Sequence, residues 1–355
     1  MELQKFIGGS GIEYVRQVDD EKPEPDDEEF LIEIDPEFET QIDGTQATGA
    51  TKKWSHSLNS NLIISVHESN GVVYSGSDGE VVAADADDGS FLWSHTEHSD
   101  WVRSVYASNG VVYSGASDEK VVAVDADDGS FLWSHTGHSD EVQSVYESSG
   151  VVYSGSEDGT VVAVDADDGS FLWSHSEHSN WIYGVYESNG VVYSGCRDGT
   201  VVAVDADDGS FLWSHEEHSD HVRSVYESNG VVYSGSRDNT VVAVDADDGS
   251  FLWSHEEHSS SVYSVHESNG VVYSGSLDDT VVAVDADDGS FLWSHEEHSG
   301  SLYDVHASNG VVYSASADGT VVAVDLDGNI AEQFPIETNA RDPMLGYNGK
   351  WLPHV

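Results

Sequence analysis

The chain writes one 40-residue segment out again and again, nearly unchanged. A Val-Val-Tyr triplet recurs at Tyr74, Tyr113, Tyr153, Tyr193, Tyr233, Tyr273 and Tyr313. The Trp of a Leu-Trp-Ser-His run recurs at Trp93, Trp133, Trp173, Trp213, Trp253 and Trp293, with a variant at Trp54. A unit this short cannot bury its own apolar faces, so the copies must pack on one another.

Each copy reads as four strands. After His98 they are Val102–Tyr106, Val111–Ser114, Val121–Asp125 and Phe131–His135. Val, Tyr, Phe and Trp favour strands, and Asn109-Gly110 and Asp128-Gly129 mark tight turns. The Val-Val-Ala-Val run is apolar on both faces, as in a strand sandwiched between two neighbouring sheets. Four antiparallel strands per repeat make one propeller blade. The expected fold is therefore all-β, a seven-bladed β-propeller over residues 54–326. Closure is expected from the fourth strand at Lys53-Trp54-Ser55-His56, pairing with the last three strands, which end near Asp325. Residues 1–53 form an acidic, unrepeated arm, and 327–355 an unrepeated tail.

With 67 acidic and 12 basic residues, the chain carries a formal charge of -55. Such self-repulsion opposes a compact state at ordinary ionic strength. Ten Trp and sixteen Tyr argue against disorder of the repeats. Molar salt shortens the Debye length to roughly 3 Å and removes most of the repulsion. The composition thus points to a halophilic protein in a high-salt setting, and nucleic acid is excluded as a partner. The single cysteine, Cys196, stands where other copies have Ser or Ala, so it reads as a spare strand residue. No leader-like apolar core opens the chain and no run is long enough to span a membrane, so neither secretion by a signal peptide nor membrane insertion is expected.

The repeat resembles two families. The order His…Ser-Gly-Ser-x-Asp-x-Thr is similar to WD-repeat propellers. His98, His138, His178, His218, His258 and His298 fall at that family's Gly-His position, and Asp118, Asp158, Asp198, Asp238, Asp278 and Asp318 at its turn Asp. The Trp-Asp dipeptide is replaced by Val-Asp, as at Val124-Asp125. The Asp-Ala-Asp-Asp-Gly-Ser-Phe-Leu-Trp stretch resembles quinoprotein-like (PQQ-type) repeats. The WD resemblance implies that the second His of each His-x-x-His is a structural hydrogen-bonding residue rather than a metal ligand. The Asp-Ala-Asp-Asp-Gly loop lacks the spacing and distal Glu of a calcium loop, so it reads as a hairpin. No cofactor is expected, only loosely held cations around the acidic loops. No catalytic residue stands out, because every candidate is copied six or seven times.

Differences between copies concentrate in the loop after each His and in the second turn. Both connections should emerge on one face. All five basic residues of the repeats lie there: Arg103, Lys120, Arg197, Arg223 and Arg237. So do Trp101, Trp181, Tyr183, His221, Tyr263 and Tyr303. Trp, Tyr and Arg dominate binding hot spots, so these eleven residues are the expected contact face. The expected function is a non-catalytic module of a larger halophilic assembly, its arm contacting other subunits and its varied face a protein or surface glycan. A haloarchaeal virus particle, in capsid decoration or host attachment, is the leading setting. The alternative is a cytoplasmic WD-repeat-like scaffold, ahead of a quinone-type enzyme or a sugar binder.

The charge reading predicts a salt-dependent fold. Far-ultraviolet circular dichroism should show the strand signal lost on dialysis from molar salt to dilute buffer. A chain that keeps its signal in dilute buffer contradicts the halophilic reading.

Overall fold

The computed structural model describes residues 65–308 apart from 87, 88 and 297, then 311–316, 320–325 and 330–335. It also describes two strands near the start, Glu2–Ile7 and Glu13–Val18, which pair antiparallel. Among these residues seven sheets have four strands each, spanning 65–95, 102–135, 142–175, 182–215, 222–255, 262–295 and 302–335. Every sheet is antiparallel and uses its strands in chain order. This is the sheet arrangement of a β-propeller.

In the second sheet the strands are Val102–Ser108, Val111–Ala116, Val121–Asp125 and Phe131–His135. The starts match the sequence reading, and the first two strands each run two residues further. Asn109 and Gly110 have φ of 52° and 81°. A two-residue hairpin that follows the strands' twist needs positive φ at both central positions, which is why this turn is Asn-Gly.

The doubly apolar third strand has the role expected of it. Val122 and Val124 pack on Tyr74, Val81 and Trp93 of the preceding sheet. Val121 and Ala123 pack on Val142, Val145 and Val162 of the following sheet. Trp133 completes that contact. Its indole N–H donates to the Ala166 carbonyl of the next sheet at 2.9 Å. Its ring lies against Gly169, where a Cβ would come within 2.6 Å of the indole and φ is 71°. Only glycine fits under that ring, so the Asp-Asp-Gly loop is shaped to receive the preceding sheet's Trp. The same indole bond repeats at Trp93, Trp173, Trp213 and Trp253.

Neighbouring sheets also touch through their first strands, which are therefore the innermost. Fourth strands are outermost, and Phe131 and Leu132 stay 47% and 44% exposed there. Among the described residues no contact of comparable extent joins the first sheet to the last.

One expectation about closure is corrected. The fourth strand of the last sheet is Ile330–Pro335, from the stretch assigned to the tail. Glu332 pairs with Ala323, the register in which Trp93 pairs with Ala83. A local hairpin costs less chain entropy than a pairing with Trp54, which would close a loop around the whole repeat region. Lys53–His56 and most of the arm and tail lie outside the described residues.

Two substitutions test this packing. Trp173→Ala should cost about 3–5 kcal/mol in high-salt denaturant unfolding, because a cavity opens between two sheets. Val82 and Ala84 occupy the positions of Val122 and Val124 and are only 2% and 1% exposed. Val82→Asp should therefore lower the melting temperature as strongly as Val122→Asp. A neutral Val82→Asp would show that the outward side of the first sheet is open to water.

Candidate functional site: a varied mouth on a repeated base

The varied loops rest on a fixed support. In the third sheet His138 bonds the Ser154 hydroxyl through Nε2 at 2.8 Å and Asp158 through Nδ1 at 3.2 Å. Thr160 donates to Asp158 at 2.6 Å, and the Ser139 N–H adds a further bond at 2.9 Å. Burial opposes ionisation of Asp158, yet the bonds from His138, Thr160 and Ser139 outweigh it and hold the carboxyl well below its usual range. Asp118, Asp238 and Asp278 are held low with the same His contact, and Asp198 by bonds from Thr200, Ser179 and Cys196. The second His is thus a structural residue. In the fourth sheet, His178, Cys196 and Asp198 bring ligand-type atoms within 4.8 Å of one another. Cys196 there copies the serine it replaces. Its Sγ donates to the Asn180 carbonyl at 3.2 Å, as Ser236 Oγ does to Asp220 at 3.1 Å. Burial pushes the thiol up to about 12, so it stays neutral.

Backbone bonds tie the two varied connections together. The Ser117 N–H donates to Trp101 O, Arg197 N–H to Trp181 O and Arg237 N–H to His221 O, each at 2.8 Å. Both connections therefore sit at one end of the second to sixth sheets, as the sequence implied. The first strands are innermost, so this end forms the mouth around the axis.

The structure gathers the expected contact residues into one main cluster. Arg197 lies over the Trp181 ring at 4.3 Å. Arg223 lies between Tyr183 at 4.1 Å and Tyr263 at 5.0 Å. Trp181 meets Tyr183 edge-on at 6.3 Å, and Tyr263 meets Tyr303 edge-on at 5.4 Å. His221 lies 5.8 Å from Tyr183 and accepts the Arg197 Nε–H at 3.3 Å. Burial, then the charges of Arg223, Arg197 and Arg237, push the His221 pKa down to about 4 against the pull of Asp220. Arg237 is exposed beside them.

Arg103, Lys120 and Trp101 stand apart. Arg103 pairs with Glu141 at 2.8 Å and Lys120 with Asp118 at 3.3 Å. Trp101 joins the second sheet to Asp78 of the first in a backbone bridge. Between the two groups sits an acid that the sequence reading passed over. Glu157 bonds Gln143 at 2.8 Å. Burial, with Glu141 and Asp140 nearby, pushes its pKa up to about 7 despite Arg103.

A second feature was also missed. His67, Tyr106, Tyr146, Tyr186, Tyr226, His266 and His306 meet ring to ring in tilted or edge-on contacts, one from each first strand, with centroids 4.3–5.1 Å apart. They form an aromatic belt along the inner wall, three residues beyond Arg103 and its counterparts. The signal was the unbroken aromatic character of that one repeat position.

These sheets, linked Trp to loop and varied at a single mouth, define a propeller of PQQ-like repeats. The chain belongs to the family described as outer membrane protein assembly factor BamB, whose repeats match residues 40–180, 157–269 and 259–334. No curated protein matches it. A crystal structure of the computationally designed Ika8 protein is similar, with 29% identity, a TM-score of 0.75, and coverage of 80% of this chain and 90% of that one.

The low carboxyls set the acid response. Their folded pKa lies below the unfolded value of about 3.9, so they add stability above that pH and lose it as pH falls through the folded value. Asp158→Asn and Asp238→Asn should each cost about 1–3 kcal/mol at pH 7 and flatten the acid limb of the high-salt stability curve. An unchanged acid limb would show that the His–Asp bonds do not carry it.

Proposed function

We propose that this chain is a non-catalytic binding module of a larger halophilic assembly, and that the varied mouth is its contact surface. The observation that carries this is the cluster in which Arg197 and Arg223 stack on Trp181, Tyr183 and Tyr263. Stacked Arg and aromatic rings are pre-ordered contact groups, so a partner meets them at low entropic cost. The opposite end offers repeated Asn-Gly and Asp-Asp-Gly turns that are locked into the sheet contacts. A haloarchaeal virus particle remains the leading setting and a cytoplasmic scaffold the alternative. Purification at high salt separates them, since a particle subunit should co-migrate with the particle.

The test is capture of a partner, protein or surface glycan, from a high-salt envelope extract. Trp181→Ala and Arg197→Ala should weaken capture at least about tenfold, the loss of one hot-spot contact, while shifting the melting temperature little. Variants that capture normally would move the contact surface elsewhere.

A further inference from the structure

Arg197, Arg223 and Arg237 are three of only 12 basic residues in a chain with 67 acidic ones. With so large an excess of acid, a cation should find a carboxylate easily, as Arg103 and Lys120 do. Among the described residues no carboxylate lies within ion-pair distance of Arg197, Arg223 or Arg237. Asp220 lies 3.5 Å from Nε2 of His221, on the ring edge opposite the free Nδ1, and reaches none of the three guanidiniums. Asp220 accepts the His221 backbone N–H at 2.8 Å, and Glu157 holds Gln143.

Two donors in this corner are also unspent. His221 accepts the Arg197 Nε–H on Nε2, which places its own proton on Nδ1. That Nδ1 and the Nε of Arg223 are both buried and have no hydrogen-bond partner among the described residues. A buried donor left without an acceptor costs about 1–3 kcal/mol, and clustered like charges add to it. One group cancels both costs: an anion with several acceptor oxygens.

We propose that Arg197, His221, Arg223 and Arg237 form a site for an oxyanion, a carboxylate, sulfate or phosphate, that takes the unspent N–H groups and neutralises the clustered guanidiniums. The flanking Trp181, Tyr183 and Tyr263 hold the two stacked guanidiniums in place. The proposal deepens the binding reading above, because it names the chemistry by which the mouth recognises its partner.

The test titrates inorganic phosphate, acetate and polygalacturonate into the full chain in molar potassium chloride. The His221 imidazole resonances, assigned with His221→Gln, report occupancy. The expected result is a saturable shift that Arg197→Gln and Arg223→Gln each weaken about tenfold, the loss of one charged hydrogen bond, and that Arg103→Gln leaves unchanged. Tighter binding of polygalacturonate than of acetate would assign the anion to a displayed polymer, and equal binding to a free ion; either supports the site. Should Arg223→Gln fail to fold, the exposed Arg237→Gln serves in its place. No saturable shift with any probe, or the same shift in the Arg197→Gln variant, overturns the proposal. Partner capture that persists without an anion response would overturn the site and leave the binding module standing.

Discussion

Everything in this fold depends on one contact repeated from sheet to sheet: an indole seated on the glycine of the next Asp-Asp-Gly loop. The contact is apolar, through the ring and the valines around it, and polar, through the indole N–H bonded to a loop carbonyl. It is also exclusive, since a side chain at Gly169 would enter the Trp133 ring. A single sheet has no such partner within itself. Stability is therefore a sum over neighbours, as expected for repeat architectures. The acidic surface works against that sum until salt screens it.

The same contact explains where the copies are free to differ. At one end of the second to sixth sheets the Asp-Asp-Gly loop holds the preceding sheet's Trp, and the residue after the third strand bonds back to the first turn, as Ala126 does to Gly110 at 3.0 Å. Changing either turn would disturb two sheets. At the other end the His–Ser–Asp bonds fix the base of the loops and leave the residues beyond them without a packing duty. Variation collects there, and so do the Arg, Trp and Tyr that interlock across sheets. A propeller built this way separates a repeated frame from one varied end.

Much of the frame was legible because a repeat supplies its own comparison. The strand boundaries, the Asn-Gly hairpin, the buried Val-Val-Ala-Val strand and the shared end of the two varied connections all follow from local patterns. What escaped needed knowledge of neighbours. The stacking of Arg223 between Tyr183 and Tyr263 joins three sheets, and no spacing within one copy announces it. The belt from His67 to His306 depends on first strands being innermost. The strand Ile330–Pro335 keeps the register of the repeat after losing its Trp, so the Leu-Trp-Ser-His run does not mark it. Phe131 and Leu132 look like core residues by composition, yet the fourth strand is an outer edge.

The inter-sheet indole contact can be read directly by hydrogen exchange of the indole N–H groups in high salt. The account predicts that those of Trp93, Trp133, Trp173, Trp213 and Trp253 exchange only through global unfolding, as one protected set. The indole of Trp181, stacked at the mouth outside any sheet contact, should exchange orders of magnitude faster. Rapid exchange of the five, at the rate of Trp181, would contradict the claim that these tryptophans hold the sheets together.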